Sequence, residues 1–191
     1  MKNIRTAEEL KKQSIEYSSF KLPQILGFDK SIRFCREVLS RACEDSLYEY
    51  AANVLEWTRH FYPKEWKSSW RYNVLLGLAY NIALYYEECY EAYKRAYDMI
   101  DPKPPQLLIA LGECYSLPIN EMPAKEALTF AQEAVKKCRC FEGVMLLRSI
   151  YKSLKQEKDF LYWDNVSNNE SLESIQDLRD IPENDLATDL S

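Results

Sequence analysis

Glycine is nearly absent from this chain. Its 191 residues hold four, isolated at 27, 77, 112 and 143, while 13% of the chain is aromatic. β-Sandwiches and barrels spend glycine at many tight turns, so the shortage excludes them and points to long helices joined by short turns. Isolated glycines also offer no phosphate-cradling loop, and no cofactor is implied. Histidine is scarcer still: His60 stands alone, in RHFYP. A catalytic base needs a nucleophile and an orienting group within reach, and the sequence nominates neither. The chain therefore reads as a non-enzyme, with His60 near a helix C-terminus, where an imidazole suits the dipole.

Long apolar runs are missing as well. No segment approaches the ~18 apolar residues of a membrane span. Met1-Lys2-Asn3-Ile4-Arg5 leads into a charged stretch without the apolar core of an export leader. The six cysteines, at 35, 43, 89, 114, 138 and 140, lack the spacing of a disulfide scaffold. They read as reduced core thiols of a cytoplasmic protein. Cys138-Arg139-Cys140 is a lone pair without the partners a zinc site requires, so no metal is expected. No basic stripe exists either. Residues 163–191 carry eight acids and one base, a net −7; since the whole chain is −5, residues 1–162 carry only +2. Nucleic-acid affinity rests on clustered Lys and Arg, so that class of partner is excluded.

What is present is a repeat. Residues 70–102 read WRYNVLLGLAYNIALYYEECYEAYKRAYDMIDP. Leu76, Gly77 and Tyr80 fill an L-G-x₂-Y pattern; Cys89, Tyr93 and Ala96 fill the places that follow, and Asp101-Pro102 closes the unit. Leu111, Gly112 and Tyr115 repeat the first triplet, with Ala127, Ala131 and Ala134 supplying a second helix and Pro118 and Pro123 in a longer turn. A worn copy precedes them: Ala51, Leu55 and Thr58 align when Pro63 is taken as its closing proline. Leu47, Ala51, Val54, Leu55, Thr58 and Phe61 form one apolar stripe at helical spacing. A last helix near 141–155 offers Leu147, Ile150 and Tyr151. Tyr80, Tyr85, Tyr86, Tyr90, Tyr93 and Tyr97 read as rings packed between helices. From Trp163 onward the composition turns to Asn, Ser, Asp and Glu, which predicts a disordered tail. Within it, Leu172, Ile175, Leu178 and Ile181 recur every three residues, the spacing of a short helix that forms only on contact with something else; the alternative is a solvated tail with scattered aliphatics.

These motifs resemble the tetratricopeptide repeat, a helix pair of about 34 residues that cannot bury its apolar face alone. The resemblance covers roughly 31–155. It implies an all-α solenoid of about three repeats, with an N-terminal helical arm at 1–30, a repeat domain at 31–162 ending in a capping helix, and an acidic tail at 163–191. In that family the first helix of each unit lines a concave surface that holds another polypeptide. Carried over, its groove residues are Arg71, Val74, Leu78, Asn81 and Ile82, then Gln106, Ile109, Glu113, Ser116 and Leu117, with Arg33, Arg36 and Ser40 from the worn copy. One subfamily grips C-terminal carboxylates with a lysine and an asparagine. Those places here are Val74 and Leu75, which disfavours it.

The chain is similar instead to the class II chaperones of type III secretion, through LGLA at 76–79, the proline-bearing link at 102–105, ALGEC at 110–114, and EAL and AQEA within 126–134. That resemblance implies a cytoplasmic chaperone holding an extended segment of a translocator or gatekeeper. Val74, Leu78 and Ile109 would form apolar pockets, and Arg36, Arg71, Asn81 and Glu113 would fix direction. It also brings a homodimer into play, without a seam to place it. The alternative is a generic adaptor subunit of a larger assembly, binding through its convex face or tail.

Overall fold

The structure, a computed structural model, describes residues 7–41, 45–118 and 122–175. Ten α-helices and one 3₁₀ turn make up its elements, and the described residues contain no strand. The chain divides into two compact units, 1–85 and 86–191. Their boundary falls inside the best-matching repeat, between its two helices.

The first unit holds α1 (Ala7–Leu26), α2 (Phe28–Arg41), α3 (Asp45–Phe61), the short α4 (Glu65–Ser68) and α5 (Trp70–Ile82). α3 is its hub, packing on α1, α2 and α5. α1, within the N-terminal arm expected at 1–30, packs on α3 and α2. α1 runs through Pro23 and stops at Gly27, whose φ of +78° is the left-handed geometry glycine adopts without steric cost. The stripe read on α3 is buried as expected at Ala51, Val54, Leu55 and Thr58, while Leu47 remains exposed. Aromatic rings fill the rest. Phe20 lies edge-on to Trp57 and Phe61, and Phe28 stacks on Tyr72 at 5.9 Å between centroids. Two hydroxyls fasten helices to distant backbone: Tyr72 donates to the Leu55 carbonyl at 2.7 Å, and Tyr62 to that of Pro23 at 3.1 Å.

The second unit holds α6 (Tyr86–Met99), α7 (Pro105–Glu113) with its 3₁₀ extension Cys114–Ser116, α8 (Ala124–Lys137), α9 (Phe141–Ser153) and α10 (Glu157–Asn169). Each helix packs on the next from α6 to α10, most broadly α7 on α8 and then α9 on α10. Small residues let these backbones close in. Ala127, Ala131 and Ala134 are fully buried. A Cβ on Gly112 would stand 2.7 Å from Leu146 Cδ2, and one on Gly143 2.9 Å from Val135 Cγ2. Cys89 and Cys114 are buried and free, and the Cys89 thiol is pushed far above its ordinary range by a hydrogen bond to Cys114 and by burial.

The tail begins later than the sequence predicts. Trp163 lies in the middle of α10, which covers α9 and buries Val166; the chain leaves the helix in extended geometry at Glu170, and residues 171–175 carry no regular secondary structure. Composition there is polar, but one apolar residue per turn suffices when α9 supplies the opposing face. Leu172 and Ile175 lie outside any helix; Leu178 and Ile181 lie outside the described residues.

Glycine scarcity shows at the helix stops. α5 and α9 end on left-handed residues, where glycine is commonest. Here they are Leu84 (φ +65°) and Lys155 (φ +57°). In both, the next amide reaches back five residues, from Tyr85 to the Tyr80 carbonyl at 2.9 Å and from Gln156 to that of Tyr151 at 3.0 Å.

Candidate peptide-binding site

α5 starts because Ser69 caps it, its hydroxyl accepting the Tyr72 amide at 3.2 Å. Between Tyr72 and Tyr80 every residue except Leu78 is buried. A helix buried all round is core, so its template glycine and leucine have no open face beside them. Val74 is 2% exposed and Leu75 4%, which puts the expected Val74 pocket inside the protein. Leu78 and Asn81 are half-buried. Arg71 is half-buried too, with its guanidinium 4.7 Å from the Trp70 ring centroid, and Arg36 is half-buried on α2. In the first unit the surface left to a partner is therefore Leu78 framed by polar side chains.

In the second unit Ile109 is 5% exposed. Its Cδ1 lies 3.8 Å from where a Cβ of Gly143 would be, so α9 covers it because position 143 carries no side chain. Glu113 keeps access to solvent, but surrounding protein strips water from its carboxyl and Glu142 adds like charge; both push it above the ordinary carboxylate range, burial more than Glu142. The groove residues of this unit thus sit beside the N-terminal end of α9.

Sequence reasoning missed what occupies that end. Glu170 places both carboxylate oxygens on Arg139, at 2.9 Å from Nε and 2.8 Å from Nη2. The Phe141 amide donates to the Glu173 carbonyl at 3.0 Å, and the Ile175 amide to Glu142 Oε2 at 2.9 Å. Arg139 also lies 5.6 Å from the Trp163 ring centroid. No sequence signal marks this pairing, because Glu170 and Arg139 lie 31 residues apart and no periodicity links them.

The first unit carries a separate open concavity of about 720 Å³. Trp57, Trp66, His60, Arg59 and Lys67 are among its walls. His60 is exposed and edge-on to Trp57 and Phe61. The Arg59 guanidinium lies 5.6 Å from the Trp66 ring centroid and its Nη2 3.1 Å from Glu56, which also accepts the Tyr80 hydroxyl. Among the described residues no group of three or more His, Cys, Asp or Glu is placed to hold a metal, and no helix is long and apolar enough to cross a membrane.

No protein-family model matches the chain, and no match was found among curated proteins or solved structures.

Proposed function

We propose that this chain is a tetratricopeptide-like chaperone that holds an extended segment of a partner polypeptide, most concretely a translocator or gatekeeper of type III secretion. The observation that carries the reading is the burial of the template places. Leu76, Cys89, Tyr93, Ala96, Leu111, Ala127, Ala131, Ala134, Leu147 and Ile150 are all 3% exposed or less. Places that specify helix-pair packing in such repeats are used for packing here, and a protein built this way offers helix surfaces rather than a catalytic cleft.

The capture surface differs from the one the resemblance supplies. With Val74 and Ile109 internal, what the first unit offers a partner is Leu78, Arg71 and Asn81 on α5 and Arg36 on α2. Such a surface depends more on polar contacts and backbone hydrogen bonds than on deep apolar pockets. The same burial favours the second reading, an adaptor that binds elsewhere. Co-purification from the native host separates the two. Chaperone capture predicts that Leu78→Glu loses the partner while a chain ending at Ile175 keeps it, with folding of both checked by circular dichroism. The reverse order would favour the adaptor and sink the chaperone.

A further inference from the structure

The run after α10, which starts in extended geometry at Glu170, has the features of a bound peptide. Glu170 is clamped by a bidentate arginine contact, two backbone positions hydrogen-bond to the start of α9, and Leu172 and Ile175 are half-buried while Ser171, Glu173 and Ser174 face water. Main-chain bonds for affinity and alternate side chains for selection are how extended peptides dock. Phe141 is the first residue of α9, so its amide has no partner within the helix and is served by the Glu173 carbonyl.

Its hold is shallow. Arg139 and Glu170 are each 43% exposed, and exposed ion pairs add little to stability. The remaining hold is two hydrogen bonds and two aliphatic side chains that are only half-buried, so water can compete for every contact and the segment is displaceable.

We infer that residues 170–175 are an internal ligand, occupying an edge formed by Arg139, Phe141 and Glu142 at which an acidic, extended segment of the partner polypeptide docks. The recognition chemistry is that of the strap itself: a carboxylate for Arg139, followed two and five residues later by aliphatic side chains. This rests on the proposed capture of a partner, and it names the chemistry of one segment of that partner.

The test uses full-length protein and a fluorescent peptide of the strap's own sequence, NESLESIQ (residues 169–176). Glu170→Gln weakens the internal copy without touching the edge. It should bind the added peptide about fivefold more tightly than wild type, the factor that ~1 kcal/mol from one exposed bidentate pair allows. Amide exchange at Phe141 should quicken in Glu170→Gln and slow again with peptide, and Arg139→Gln should bind the peptide in neither background. Deprotection without peptide binding would reduce the strap to a plain helix cap and overturn the inference, as would unchanged exchange at Phe141. Neither outcome touches Leu78. A Leu78→Glu chain that loses its partner yet still binds the peptide counts against the proposed function alone.

Discussion

The two units solve one packing problem with different chemistry. In residues 1–85, rings fill the space between helices, and tyrosine hydroxyls reach backbone carbonyls on helices well removed in sequence. In residues 86–191, alanines and glycines remove that space, and helices approach until a single added carbon would touch a neighbour. A repeat template made of small residues at fixed places describes the second solution better than the first. The worn look of residues 31–63 is thus a change of packing material within the same helical class.

Truncation should therefore hurt most in the first unit. Tyr72→Ala removes a fully buried ring and its hydroxyl bond, and should cost about 3–5 kcal/mol in chemical denaturation. The matching change in the second unit is an addition. Ala131→Leu overfills a site with no free space and should cost about 1–3 kcal/mol; if it proves harmless, close approach is not what holds that unit together. Tyr72→Phe keeps the ring and isolates the hydroxyl, leaving the Leu55 carbonyl short of a partner, with an expected loss of about 1–2 kcal/mol.

Both units share one cost, the left-handed Leu84 and Lys155. Replacing either with glycine relieves the Cβ clash and should raise stability by about 0.5–1 kcal/mol, less than the full strain because glycine also loosens the unfolded chain. Opposite signs at the two sites would break the parallel between the units.

The smallest effect is electrostatic. The Glu113 carboxyl titrates higher in the folded chain than in the unfolded one, because burial and then Glu142 disfavour its charge. Its ionised form is a cost above the folded value. That cost shrinks as pH falls through the folded value and is gone below the ordinary carboxylate range, since the folded state then binds the proton first. Glu113→Gln should stabilise the protein at neutral pH by roughly a few tenths of a kcal/mol, solvent screening keeping it small, and by nothing near pH ~3.

How much of this was legible in advance divides along the same line. All-helical class, buried template places and the α3 stripe follow from periodicity, because apolar residues at helical spacing have one way to be covered. Val74 and Ile109 were misplaced because a groove place in a template says which way a side chain points, not whether another helix lies over it; bare Gly143 is what lets α9 cover Ile109. The ordered stretch 163–175 escaped notice because its contacts are long-range. Glu170 and Glu173 find their partners at the start of α9 and just before it, and no local pattern encodes a partner some thirty residues away.

Capture of a polypeptide on the α5 surface is the central claim, and a photo-crosslinker tests it most directly. Benzoylphenylalanine is placed at position 78 in one full-length chain and at position 185 in another, each expressed in the native host and irradiated. The account predicts one dominant covalent polypeptide adduct at position 78, absent at 185. Adducts confined to position 185 would contradict it and move the binding function to the acidic end of the chain.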